Sequence, residues 1–436
     1  MMQAVGDASS DADSRQPPHY EPPTLPRYDQ IYDSSLSRWM PQPGAAYTNE
    51  SRIIDIGSTP LGRAAKNGDV PGIVALCEAG AALDKTDVSG RNIMSIAAEA
   101  GRVEVVQWLL EAGAEFKRGD HRGITPLAWA AGSGHTPVLD TLIRAGAPVD
   151  PSSPVAFGSA LCVAARGGHV EAVQALLSAG ASLEAEAPNW QHRAALALAV
   201  AKGHVAVVKE LLKAAYRGDG VTSLEQAKAI VNAEDSNGHT AMSIAATLGS
   251  PDIVEELLSA SASLGDKDSK AGIALHHAAK HGHVPAIEIL LREDPSAMHA
   301  LDNTGNTALG FAAMSGHLGA VNVLLGAGAK PNLAGKSAFP LMLAARYGQT
   351  KVVQALLVAG AAVNQSKGGS TALDEAAGNT WSDERAKAAC VRLLLANGAK
   401  GAASALKIAK ANGRGAAADI LQAAVAAQPR LSRWLR

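Results

Sequence analysis

Two kinds of apolar run alternate along most of the chain. The first is short, rich in alanine, and stops at a glycine. It reads TPLGRAAKNGD from Thr59, TPLAWAAGSGH from Thr125, SALCVAARGGH from Ser159 and NTALGFAAMSGH from Asn306. The second ends in Leu-Leu or a close equivalent followed by Gly-Ala: IVALCEAGA, VVQWLLEAGA, AVQALLSAGA, VNVLLGAGA and VVQALLVAGA. Apolar residues three and four apart predict two short amphipathic helices per unit. Thr125 and Thr307 are placed to cap the first helix, and Pro60 and Pro126 fit its first position, where a missing N–H costs nothing. Gly68, Gly101, Gly134, Gly168, Gly203, Gly282 and Gly316 stop that helix. Gly113, Gly146, Gly180, Gly328 and Gly360 stop the second.

The unit recurs with a measurable period. The residue after the Thr-Pro slot is Leu61, Met94, Leu127, Leu161, Leu196, Met242, Leu275, Leu309, Leu341, Leu373 and Leu406. Successive intervals are 32–35 residues, apart from one of 46 between Leu196 and Met242. Such a period marks a stacked array of supersecondary units rather than a single globular core. Ala97-Ala98, Ala130-Ala131 and Ala164-Ala165 are small enough for neighbouring first helices to approach closely. Leu109-Leu110, Leu176-Leu177 and Leu356-Leu357 are the expected core of the second helices.

This pattern resembles the ankyrin-repeat family over roughly residues 51–424. The resemblance lies in Thr-Pro-Leu at the start, Ala-Ala in the first helix, Gly-His at the turn, and Leu-Leu…Gly-Ala at the end. It implies an all-α solenoid of about eleven helix–turn–helix repeats with short β-hairpin loops, and a non-enzymatic role in binding a partner protein. One departure stands out. The family's Thr-Pro-Leu-His histidine is replaced by Gly62, Ser95, Ala128, Cys162, Ala197, Ser243, Gly310 and Met342, and survives as His276. The expectation is an array short of inter-repeat hydrogen bonds and held together by apolar packing. Insertions over about 215–230, where Ser223 is placed to cap a helix, and 378–388 interrupt the rhythm and are expected to map to surface loops.

The resemblance also places the partner surface at the hairpin tips and at the two positions after Ala-Ala. Here those positions include Lys66, Asn67, Glu99, Arg166, Lys202, Leu248, Lys280, His281, Met314, Arg346 and Tyr347. Five permanent cations among them face one carboxylate, although the whole chain has a net charge of −2. Glu104, Glu111, Glu171, Glu255, Glu256 and Glu288 sit in the second helices, so charge is expected to segregate by face. The expected partner is a protein with an acidic or mixed acidic–apolar surface, with Met314, Tyr347 and Leu248 as anchors.

Composition narrows the remaining classes. Aromatics make up only 4% of residues against 47% hydrophobic overall, as suits thin layers of small side chains. Near-neutral charge gives no sign of nucleic-acid or membrane binding. Cys77, Cys162 and Cys390 are odd in number and widely spaced, which excludes a disulfide framework and points to a reducing, cytoplasmic setting. No apolar stretch reaches membrane-spanning length. Residues 1–50 hold seven of the 21 prolines and four of the six tyrosines, and read as a flexible or disordered segment without a Sec signal peptide. Residues 425–436 form a short basic tail. The chain is expected to be a monomer apart from its partner.

No cofactor or metal is expected, and no nucleophile or phosphate-loop motif is present. Two alternatives stay open: a bacterial effector exported into a host cell by its N-terminal segment, and a metal, ligand or enzymatic site in an insertion or in the His276–His283 cluster.

Overall fold

The computed structural model describes residues 59–150, 159–184, 186–187, 193–217, 224–334, 338–378 and 383–427. Helices pair in sequence. The first pairs are α1 (Pro60–Asn67) with α2 (Val70–Glu78), α3 (Ile93–Glu99) with α4 (Val103–Glu111), α5 (Pro126–Gly132) with α6 (Thr136–Arg144), and α7 (Ala160–Gly167) with α8 (Val170–Ser178). In the fifth repeat α9 (Ala195–Ala201) pairs with α10 (Val205–Arg217), and an additional α11 (Leu224–Val231) follows. The next pairs are α12 (Ala241–Leu248) with α13 (Pro251–Ser259), α14 (Ala274–His281) with α15 (Val284–Glu293), and α16 (Ala308–Ser315) with α17 (Leu318–Gly326). The last are α18 (Pro340–Arg346) with α19 (Thr350–Val358), α20 (Ala372–Gly378) with α21 (Glu384–Ala396), and α22 (Ala402–Ala411) with α23 (Gly415–Ala427).

First helices stack on first helices and second on second, giving two layers with one continuous core. Ala97, Ala98, Ala130, Ala131, Ala164 and Ala165 are fully buried, so backbones meet across the first layer with nothing larger than a methyl between them. Leu109, Leu176 and Leu356 are buried, while Leu110, Leu177 and Leu357 pack half-exposed against the core. The caps form as the sequence predicts: Thr125 Oγ1 accepts from Ala128 N at 3.2 Å and Thr307 Oγ1 from Gly310 N at 3.1 Å. Gly68, with φ 84°, takes the left-handed turn that ends α1. The repeats are joined by minimal β-structure: β1 (Glu186–Ala187) pairs antiparallel with β2 (Arg193–Ala194), and β3 (Ser366–Lys367) with β4 (Ser370–Thr371).

The expectation of few inter-repeat hydrogen bonds does not hold. The histidine of the Gly-His turn supplies them from another slot. His135 Nε2 meets Glu99 O at 3.0 Å, His169 meets Gly132 O at 2.9 Å, and His204 meets Arg166 O at 3.1 Å. His283 meets Thr247 O at 2.9 Å and His317 meets Lys280 O at 3.1 Å. A carbonyl only accepts, so each Nε2 carries the proton and donates. At the first junction Arg102 Nε donates to Lys66 O at 2.7 Å in the same sense. Hairpins are linked too: His121 N donates to Ser89 O, Ser269 N to Asn237 O and Asn303 N to Lys270 O. Stability therefore rests on directional ties between repeats as well as on apolar packing.

Against the expectation of surface loops, the described parts of the insertions are helical: they lengthen α10 and α21 and add α11, which packs on α10. At the junction of the fifth and sixth repeats Ser250 stands in the Gly-His slot. α10 compensates: in its added turn Tyr216 donates its hydroxyl to Ala260 O at 2.6 Å, and earlier in the helix Lys209 pairs with Glu256 at 3.0 Å. In the tenth repeat Asp383 caps α21 by accepting from Arg385 N and Ala386 N. Ser223 and residues 379–382 lie outside the described residues, as do the segment expected to be disordered over 1–50 and the tail from residue 428 onward. Residues 425–427 are the last turn of α23.

Candidate binding surface

The first helices turn an Ala-Ala pair, or Ala199-Val200 in α9, toward the core, so the next two residues emerge at the C-terminal end. Lys66, Asn67, Arg166, Lys202, Leu248, Lys280, His281 and Tyr347 are exposed there, and Glu99, Met314 and Arg346 are half-buried. Stacking of α1, α3, α7, α9, α12, α14, α16 and α18 in one layer puts these residues in a row. Leu248 and Tyr347 are among the few large hydrophobic side chains left open, 43% and 38% exposed.

The charges along the row are not equivalent. Arg346 is bound by Glu375 of the next repeat, with Nε–Oε2 2.8 Å and Nη2–Oε1 2.9 Å, so its charge is neutralised. Of the five permanent cations, this one is therefore engaged within the array rather than offered to a partner. Burial opposes ionisation of Glu375, but the hydrogen bonds and charge of Arg346, with Ser370, outweigh it and hold the carboxyl below its usual range. Glu99 is likewise paired, with Arg91 at 3.0 Å. Lys66, Lys202 and Lys280 enter no ion pair among the described residues and project their charges into solvent. His281 adds none at neutral pH, because burial, then Lys280, His283 and His317, push its pKa down. On the other layer Glu104, Glu111, Glu171, Glu255 and Glu288 are exposed, but so are Lys209, Lys213, Arg292, Lys351 and Arg392, so the second helices carry both signs and the expected segregation of charge by face does not appear.

The His276–His283 grouping does not assemble into a site. His276 is buried, accepts from Ile273 N through Nδ1 at 3.0 Å and donates from Nε2 to Ala300 O at 3.0 Å. His283 is engaged with Thr247 O, and its ring stacks on His281 at 6.1 Å. His277 turns away from both, toward Asp268 of its own hairpin and His239 of the preceding repeat. Those three residues are the group of ligand-type side chains that come together among the described residues. Neither Asp268 nor His239 was visible as a partner of His277 from sequence spacing, since the separations span hairpins.

Nucleophilic chemistry finds no support in the thiols. Burial raises the pKa of Cys77 and of Cys390, leaving both protonated at neutral pH. Among the described residues no helix is long and apolar enough to cross a membrane.

Comparison with known proteins accords with this geometry. Residues 43–120, 61–153, 127–221, 185–269 and 262–335 match the family described as ankyrin repeats (3 copies), and residues 338–367 match the single ankyrin repeat. Among solved structures, the crystal structure of the human ASB11 ankyrin repeat domain is similar at 24% sequence identity. The match covers 53% of this chain and 97% of that one, with a TM-score of 0.46.

Proposed function

Because this chain belongs to the ankyrin-repeat family, we propose that it is a non-enzymatic protein-interaction module acting as an adaptor, inhibitor or regulator. It binds its partner through the concave groove lined by the first helices, where the row of exposed residues emerges, and through the hairpin tips. The observation that carries this reading is the row of solvent-facing Lys66, Lys202 and Lys280 on the same layer as the exposed Leu248 and Tyr347. Cations flanking open apolar side chains suit a protein surface that is itself acidic with apolar centres. Apolar burial then supplies most of the affinity, and charge sets orientation and encounter rate.

The partner is obtained by affinity capture with the full chain and identified by mass spectrometry, and its dissociation constant is then measured against variants. Leu248→Ser and Tyr347→Ser each weaken binding by about tenfold, the cost of losing one interfacial anchor of roughly 1–2 kcal/mol. Unchanged affinity in both variants would place the interface elsewhere.

A further inference from the structure

Where the sixth and seventh repeats meet, three ligand-type side chains converge from separate segments. His239 comes from the hairpin before α12, Asp268 from the hairpin before α14, and His277 from α14 itself. His277 Nε2 lies 3.0 Å from Asp268 Oδ2, and His239 Nε2 lies 3.8 Å from the same oxygen. One ligand atom of each residue lies within 4.8 Å of the other two.

Both histidines depart from what equivalent repeats hold. His239 stands four residues after the hairpin aspartate, where other repeats have Arg91, Ile124 and Asn306. His277 stands between the Thr-Pro-Leu-His histidine slot and Ala-Ala, where Ile96, Trp129, Val163, Leu198, Ile244, Phe311 and Leu343 occur. Packing of the array therefore does not require imidazole at either place.

The carboxylate is divided between two tasks. Asp268 Oδ1 accepts from the backbone N–H of Lys270 and of Gly272, each at 2.8 Å, which shapes the hairpin. In the second repeat the corresponding outer oxygen, Asp87 Oδ2, is taken by Arg91 Nε at 2.8 Å. The residue in that position after Asp268 is Gly272, so its own hairpin offers no side chain to cover Oδ2, which instead meets His277 Nε2 in a 3.0 Å hydrogen bond and faces His239. His239 Nδ1 is buried and makes no hydrogen bond among the described residues. It lies 3.3 Å from Asp235 Oδ1, which already accepts from Asn237 N and His239 N.

We propose that His239, Asp268 and His277 form a binding site for a divalent transition-metal ion of the zinc class, clamping the sixth repeat to the seventh. Two imidazole nitrogens and one carboxylate oxygen are donors that zinc prefers, and a water completes a tetrahedron. The two nitrogens disfavour calcium and magnesium, which take oxygen ligands, and the absence of sulfur disfavours softer ions. The separations of 3.0 and 3.8 Å bracket the edge of about 3.4 Å expected for a tetrahedron with bonds of about 2.0–2.1 Å. The side chains are partly exposed, 29% for His239, 16% for His277 and 6% for Asp268, which gives an ion a path from solvent. Since each repeat contacts only its neighbours, a bond across one junction couples the two halves of the array.

The test uses the full chain, stripped of metal with a chelator and titrated with Co²⁺ while visible absorption is recorded. The comparison is the double variant His239→Asn with His277→Phe, which installs the residues found at the Asn306 and Phe311 slots. Circular dichroism confirms that it folds. The wild-type chain takes up one equivalent of Co²⁺ with the intense absorption of a tetrahedral centre, and Zn²⁺ displaces it. The double variant binds more than about 100-fold more weakly, beyond the cost of losing a supporting residue. Equal binding by the variant overturns the proposal, and so does a wild-type titration that shows only the faint spectrum of the hydrated ion.

Discussion

Arg346 and Glu375, on the first helices of the ninth and tenth repeats, form a two-pronged ion pair with both contacts under 3 Å. Arg346 is partly exposed and Glu375 largely covered, so the pair is worth more than a surface bridge and less than a buried one. Glu375→Gln is expected to cost about 1–2 kcal/mol at pH 7 in denaturant unfolding. The folded-state pKa of Glu375 is depressed, so its contribution is complete above the unfolded value of about 4.3 and is lost as pH falls through the lower folded value. Wild type and variant therefore converge in acid, and a gap that stays constant with pH would argue against the pair.

His169 illustrates the tie that replaces the missing family histidines. Its ring lies against Gly134 and Gly167, where an added Cβ would approach it to 2.5 and 2.6 Å, and its Nε2 donates to Gly132 O. His169→Ala removes one partly buried hydrogen bond and leaves that carbonyl to water. Thermal or urea unfolding should show a loss of about 1 kcal/mol. The same change at His121, whose side chain is not in that slot, should cost less.

Lys387 is a lysine almost without exposure, its Nζ donating to Glu375 O at 3.1 Å. Burial, then the charge of Arg414, lowers its pKa to about 8. The unfolded chain holds this proton up to about 10.4, so it binds more protons than the folded chain between pH 8 and that value. Stability from this group therefore rises with pH across the window. Lys387→Met keeps the volume and removes the charge; it should raise stability at pH 7 by about 1 kcal/mol or more and flatten that rise. A variant less stable than wild type at pH 7, with the slope intact, would show that the buried ammonium is not under this penalty.

Much of the fold was legible because it is local and repeated. Leu127, Gly134 and Gly146 each announce a cap, a turn or a core position through neighbours a few residues away, and the period multiplies the signal. What stayed hidden depends on contacts between repeats. Glu375 lies 29 residues from Arg346, and His169 lies 37 from Gly132, beyond any helical spacing. The histidine cluster misled for the same reason. His277 and His281 share a helical face, but His277 is drawn to Asp268 and His239 by stacking of hairpins. A cue was present in hindsight: Glu375 and His277 are polar in a slot that holds Ile96, Val163 or Leu343 elsewhere. The partner-facing residues were legible as positions, whereas the neutralisation of Arg346 was not.

The most direct test of the central claim is the affinity of the captured partner for Lys202→Glu with Lys280→Glu, measured across a range of salt concentrations. Lys351→Glu, an exposed residue on α19 in the other layer, is the control. The account predicts that the double reversal weakens binding by at least about tenfold at low salt and makes its salt dependence shallower, while the control leaves both unchanged. Equal affinity and equal salt dependence in all three proteins would contradict a partner bound at the ends of the first helices.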